Sequence, residues 1–231
     1  MSPLPDNLRE LESEVIACER CPRLRRYCEE IAVIKRRAYR DQTYWAKPVP
    51  SFGDPDARLL IIGLAPGAHG ANRTGRLFTG DRSGEFLYRA LHETGFASQS
   101  ESIARGDGLR LTDCWITAAV RCAPPDNKPT PQEFEVCRPY LVRELASMKQ
   151  VRVVVVLGKL AFDTYLTILK QQGRIQSRAA FRFEHGAIHP LEPVLISSYH
   201  PSQQNTSTGR LTREMLREIF ESARRTIIEP T

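Results

Sequence analysis

The sequence has no long apolar run. Its longest unbroken one is Val153 to Leu157, far short of the ~20 residues that a membrane-spanning helix needs. The N-terminus, Met-Ser-Pro-Leu-Pro-Asp, has neither a basic start nor an apolar stretch after it. No signal peptide is therefore expected, and a cytoplasmic protein with no membrane association is. There is no internal repeat and no low-complexity tract, which sets aside solenoids and disordered arrays. Neither the Gly-x-Gly-x-x-Gly dinucleotide fingerprint nor the Gly-Lys-Ser/Thr of a P-loop occurs. No lysine stands out as a Schiff-base nucleophile. Lys159 opens a predicted helix and reads as a solvated residue of its first turn.

What is present is a soluble, globular composition. The chain has 231 residues, 41% hydrophobic and 26% charged, and a single domain over 1–231 is expected. The formal net charge of +6 favours a polyanionic partner such as DNA or RNA. The charge is uneven: Arg20 to Arg40 holds eight basic residues against two acidic ones. For a lone basic run, a solvated helix face is the ordinary explanation.

Continuous apolar runs at 58–65, 115–120, 151–157 and 193–199 read as parallel strands buried on both faces. Amphipathic patterns at 7–18, 24–37, 84–93, 131–149, 159–170 and 210–225 read as helices. Thr130-Pro-Gln-Glu133 is a capping box with proline at the first helical position, so a helix starts there and Cys137 falls in its second turn. The alternation predicts an α/β fold of three layers, α/β/α, around a central four-stranded parallel sheet. Ligands of such sheets bind beyond the carboxyl ends of the strands, which directs attention to 63–82, 121–129, 158–160 and 199–209.

Six cysteines without a secretion signal argue for metal, redox chemistry or burial rather than disulfides. Cys18 and Cys21 form a C-x2-C pair, and Cys122 and Cys137 form a wider one. The first pair precedes the first strand of the sheet, which disfavours a thioredoxin-like role. Four-cysteine zinc usually needs two tight knuckles, and four thiolates also hold an iron–sulfur cluster. Cys28 and Cys114 read as small buried apolar residues.

Gly63 to Gly84 holds six glycines in 22 residues, together with Phe, His, Asn and three Arg. Such density lets backbone approach a flat ligand closely and present N–H groups to it. After the fourth strand comes Tyr199-His-Pro-Ser202, then the polar Gln203, Gln204 and Asn205, a sequence suited to a loop touching a nucleic acid.

Taken together, Cys18-x2-Cys21, Gly63-Leu-Ala-Pro-Gly-Ala-His-Gly70, Gly75-Arg-Leu-Phe-Thr-Gly-Asp81, Cys122-x14-Cys137 and His200-Pro-Ser202 resemble the uracil-DNA glycosylase superfamily. The match runs from about residue 15 to 210 and is nearest to the iron–sulfur family 5, or b-type, enzymes. The resemblance implies hydrolysis of the glycosidic bond of uracil and other deaminated bases in DNA, duplex or single-stranded, by a monomer without lyase activity. It implies a [4Fe–4S] cluster on Cys18, Cys21, Cys122 and Cys137, with half of the ligands from the N-terminal helices within 1–50. It implies a base pocket walled by Gly63, Leu64, Ala65, Pro66, Gly67 and Ala68, with Phe78 stacking on the flipped base and Ala118 facing its edge. His200 would bond the leaving base, while Arg82, Asn127, Ser202 and Gln203 would touch DNA.

The neighbouring iron–sulfur family has Glu where this chain has Leu64 and Asn where it has Ala118; Asp81 is the candidate substitute carboxylate. Asp81 has a second reading, as the N-cap of the helix that follows. The loss of the Asn predicts relaxed base choice. Two other readings remain open: a damage-binding module that does not cleave, and a thiol redox protein using Cys18 and Cys21.

Overall fold

The computed structural model describes residues 3–229. Helices α1 (Asp6–Ile16) and α2 (Pro22–Ile34) come first, followed by a 3-10 turn, Arg37–Tyr39. Then follow β1 (Phe52–Gly53), β2 (Leu59–Gly63), α3 (Ala71–Thr74), α4 (Arg82–Glu93), β3 (Cys114–Ala118), α5 (Pro131–Ser147), β4 (Val153–Leu157) and α6 (Lys159–Gln171). The chain ends with β5 (Ile188–His189), β6 (Val194–Ser198), α7 (Gln203–Ser207) and α8 (Arg213–Ile228). Among the described residues, no helix is long and apolar enough to cross a membrane.

The sheet order is β1-β3-β2-β4-β6-β5. Its centre, β3-β2-β4-β6, is the predicted parallel set of four. The expectation of four strands needs correction at the edges, where β1 and β5 pair antiparallel and make the sheet six-stranded and mixed. Each has two residues, too few for any alternation of apolar and polar positions to show.

The three layers are as expected, and the reason lies in side-chain alternation. Leu60 and Ile62 of β2, with Val154 and Val156 of β4, face one core shared with α1, α2, α5 and α6. Leu59, Ile61, Val153 and Val155 face the other, under α4 and α8. Both faces are covered, so β2, β3 and β4 are buried at every position.

Two polar anchors set the position of the helices. The Thr130–Glu133 capping box starts α5 as expected. Glu133 also receives the Arg23 guanidinium at 2.7 and 2.8 Å, which ties α2 to the start of α5. Deeper in, Glu144 of α5 accepts from Trp115 Nε1 at 3.1 Å and from Thr117 Oγ1 at 2.6 Å, and pairs with Arg121. This buried network fixes the chain just beyond β3, where Cys122 begins the next loop.

The chain leaves β2 for α4 on one face and β3 for α5 on the other. A crevice therefore opens above the carboxyl ends of the strands, where Gly63 lies beside Ala118 in register.

Candidate active site

That crevice is a cleft of about 1010 Å³. Gly63, Leu64, Ala65, Gly67, Ala68, Phe78, Asp81, Arg82, Ala118, Asn127, His200, Ser202 and Gln203 all border it. Of the residues expected there, Pro66 alone does not; it is buried in the loop behind the wall. The segment 158–160 does not line the cleft either. Gly158 instead packs its backbone under His200, where an added Cβ would lie 3.2 Å from the His200 Cβ.

Phe78 owes its position to a backbone that an aromatic residue rarely adopts, with φ of 53°. Such outliers persist where the surroundings over-determine them, and they cluster at functional sites. Here Gly63 makes the room: a Cβ on it would meet the Phe78 ring at 2.8 Å. The ring faces His200 with centroids 6.0 Å apart and planes tilted by 33°. Gly63→Ala should push this ring away from the end of β2. For the activity that the sequence resemblance implies, the expected result is a fall of about tenfold in kcat/KM on uracil-containing DNA, equivalent to about 1.4 kcal/mol. The thermal midpoint, measured alongside, should change little; a large fall in it would mean that Gly63 serves packing and not the position of Phe78.

Asp81 has both of its expected environments. One carboxylate oxygen accepts the Gly84 N–H at 2.9 Å, so the residue caps α4. The other lies against the glycine-rich loop, where a Cβ on Gly70 would come within 1.9 Å of it. Burial raises its pKa above the ordinary carboxylate value, opposed by the Gly84 and Ser83 N–H groups and by the charge of Arg73.

His200 is half-buried and opens onto the cleft, while protein encloses the rest of the ring. Loss of hydration lowers its pKa to about 4, so the imidazole is neutral at pH 7. The stretch after it is not a loop throughout. Ser202 caps the short helix α7, accepting from the Asn205 N–H at 3.4 Å. Asn205 turns inward and donates to the His200 carbonyl at 2.8 Å, so it braces the site and is not a free contact for DNA. Gln203 and Gln204 do line the cleft.

The three arginines of the glycine-rich segment divide by role. Only Arg82 is exposed. Arg76 is buried in an ion pair with Asp107. Arg73 donates to the carbonyls of His69 at 2.8 Å and Gly80 at 2.7 Å, closing the loop on itself. Their spacing in sequence could not distinguish a scaffold cation from a surface one.

Sequence reasoning missed part of the rim. Tyr27, Arg36, Tyr39 and His69 also border the cleft, three of them from the N-terminal segment. His69 lies 3.0 Å from the Tyr44 hydroxyl through Nδ1. Its pKa is lowered by burial first and then by Arg36 and Arg73. The basic stretch 20–40 was the available signal, but nothing local says which of its residues reach the crevice. Asp126 and Asn127 both have positive φ, 52° and 56°, and hold the loop after β3 against the opening.

The four paired cysteines surround one small pocket away from the cleft, with Leu24, Val120 and Tyr140. Cys137 Sγ accepts the Arg121 N–H at 3.3 Å. Among the described residues, no three His, Cys, Asp or Glu side chains already stand in a metal-binding arrangement. The donor set nonetheless fits a thiolate-ligated group. All six cysteines are free thiols, and the guanidinium of Arg20 acts on Cys18, that of Arg25 on Cys122 and that of Arg121 on Cys137. Such cations offset the charge that four thiolates would concentrate there. Cys114 is buried in the core as expected. Cys28 is buried too, but its thiol sits against Cys122 and the Ala123 carbonyl, so it is a neighbour of the pocket and not mere core filling. Lys159 pairs with Asp163 at 2.6 Å on the helix surface, as its reading as a solvated residue implies.

The profile of the family described as "Uracil DNA glycosylase superfamily" matches residues 50–224. The chain is 53% identical over 211 residues to a type-5 uracil-DNA glycosylase of Thermus thermophilus, covering 90% of this chain and 93% of that protein. It is 47% identical to a type-5 uracil-DNA glycosylase of Mycobacterium leprae, covering 95% of each. A type-4 uracil-DNA glycosylase of Archaeoglobus fulgidus is 30% identical over 75% of this chain and 77% of its own. The chain belongs to the uracil-DNA glycosylase superfamily, within its type-5 branch.

Proposed function

We propose that this protein is a monofunctional DNA glycosylase that hydrolyses the bond joining uracil to deoxyribose in DNA and leaves an abasic site. The observation that carries this reading is the cleft, in which a desolvated carboxylate, a neutral histidine and an aromatic ring come together at the carboxyl ends of the sheet. The target carbon is inaccessible within a duplex, so the nucleotide flips out at a cost of a few kcal/mol, least at a mismatch. Stacking on Phe78 offsets part of that cost.

The C–N bond then breaks with its electron pair on the base. Positive charge develops on the sugar and negative charge on the base oxygen. Ionised Asp81 stabilises the first and orients a water, whose oxygen bonds to the anomeric carbon and whose proton passes to the carboxylate. Asn127 at the rim helps hold that water. His200 donates an N–H to the base oxygen, aided by the N–H groups of the Gly63–Ala68 loop. Among the described residues no lysine borders the cleft, which supports hydrolysis without a lyase step.

Leu64 and Ala118 bring no polar side chain to the wall. A wall that bonds no particular edge of the base discriminates weakly, so hypoxanthine and xanthine are further substrates. The enzyme acts as a cytoplasmic monomer on duplex DNA and accepts single strands into the same cleft. Cys18, Cys21, Cys122 and Cys137 would hold a [4Fe–4S] cluster. Its part is structural, ordering the segments around 18–21 and 121–137. A broad visible absorbance with about four irons per chain would support it and exclude zinc.

The test is a glycosylase assay. Protein in excess is incubated with end-labelled duplexes carrying one uracil, hypoxanthine, xanthine or thymine, and alkali then cuts each abasic site. Cleavage at uracil and hypoxanthine but not thymine is expected. Tight binding without cleavage at any base would replace this reading with that of a damage-binding module.

A further inference from the structure

The basic stretch from Arg20 to Arg40 divides in two in the fold. Most of its first half is engaged internally, Arg26 being the one cation there that is exposed with neither an ion pair nor an aromatic partner among the described residues. Arg20 lies 4.7 Å over the Tyr140 ring, Arg23 pairs with Glu133, and Arg25 pairs with Glu19 and Glu29. In the second half, Arg36, Arg37 and Arg40 are exposed and form no ion pair among the described residues. This half is also where α2 ends, on Val33 and Ile34, which are 82% and 73% exposed. A solvated helix face does not account for two adjacent bare aliphatic side chains beside three free cations.

The segment is not remote. Arg36 and Tyr39 border the cleft that takes the base. The Arg73 guanidinium sits 3.9 Å over the Tyr39 ring and also donates to Gln42, so the segment is fastened to the glycine-rich loop. Residues 33–40 also lie outside the stretch that matches the superfamily profile, 50–224.

We propose that Val33 to Arg40 is a DNA-contact surface on the N-terminal rim of the cleft. Arg36, Arg37 and Arg40 hold backbone phosphates of the strand that bears the flipped nucleotide, and Val33 and Ile34 cover its sugar edge. The proposal rests on the glycosylase reading. Two arguments carry it. A nucleotide in the cleft brings its flanking phosphates to the rim, where Arg36 stands. Cations beside exposed apolar side chains also match a DNA strand, which is charged along its backbone and apolar along its sugars.

The experiment measures binding to a duplex with one non-hydrolysable 2′-fluoro-deoxyuridine across a range of salt concentrations. The variants are Arg36→Gln/Arg37→Gln/Arg40→Gln, Val33→Ser/Ile34→Ser and a control of equal charge loss, Lys170→Gln/Arg174→Gln/Arg178→Gln. The control residues are exposed near the far end of α6, away from the carboxyl edge of the sheet. The rim triple variant should bind about tenfold or more weakly, with the log–log salt slope reduced by about 0.9 per lost phosphate contact. The aliphatic pair should weaken binding without altering that slope, and the control should bind like the unaltered protein.

Equal losses in the rim and control variants would reduce the effect to net charge and overturn the proposal. Unchanged binding in the rim variant would overturn it as well. Cleavage of a uracil duplex by the unaltered protein, run in parallel, separates the two failures. If cleavage holds while the rim variant binds normally, only the surface proposal falls.

Discussion

Asp81→Asn is expected to lower the single-turnover rate of uracil release by about 10²- to 10⁴-fold, the usual contribution of a positioned acid–base group. The substitution separates the two tasks of this side chain. Asparagine caps helices about as well as aspartate, so the bond from Gly84 to residue 81 survives. What is lost is the charge against the Gly67–Gly70 loop. Burial raises the Asp81 pKa, so the folded protein binds a proton there more readily than the unfolded chain does. Ionised Asp81 therefore weighs against the fold above the usual carboxylate range, and this burden disappears as pH falls through the raised pKa. Removing the charge should leave the thermal midpoint at pH 7 unchanged or higher, the pattern of a residue kept for activity at the expense of stability. The same shift places the acid limb of kcat/KM above the pH at which an exposed aspartate titrates, and this limb should vanish in Asp81→Asn. Full activity in the variant, or a loss of activity matched by a fall in thermal midpoint, would return Asp81 to capping alone.

Elements with a strong local cause could be read in the sequence. The apolar runs that became β2, β3, β4 and β6 are continuous because helices cover both faces. The start of α5 was legible because a capping box and an N1 proline act within four residues. The edge strands β1 and β5 have no such local cause; tertiary pairing makes them, to β3 and to β6. The short helices α3 and α7 were missed for a related reason, since four or five residues show no period.

The site divides along the same line. Its walls lie directly after strands, so the strands located them. Asn205 was misjudged because its partner, the His200 carbonyl, is evident only once α7 has formed. The N-terminal rim was invisible because Arg36 and Tyr39 reach the cleft through the packing of α2 on α5 and of Tyr39 under Arg73. Both contacts join residues far apart in sequence.

His200→Ala should cost about 10²- to 10³-fold in rate, the loss seen when one donor to a developing oxyanion is removed. The pH dependence distinguishes this role from a structural one. An ordinary histidine titrates near 6.5, and in this fold burial lowers the value to about 4. The neutral ring, which still carries one N–H, is thus the form present across pH 5 to 8, and kcat/KM should show no step near 6.5 that depends on His200. The stability consequence has a definite sign. A depressed histidine pKa means that the unfolded chain takes up the proton first. The stability that neutral His200 supports is complete above pH 6.5 and is lost as pH falls from there towards 4. The unaltered protein should therefore lose stability to acid over that window, and His200→Ala should lose less. The difference can be read from paired denaturant titrations at pH 7 and pH 4.5. A step in kcat/KM near 6.5 that disappears in His200→Ala would mean that the imidazolium takes part in the reaction. The neutral-donor account would then be wrong, because a ring charged at neutral pH would have to be hydrated or paired, whereas burial alone governs the His200 ring and no carboxylate among the described residues acts on it.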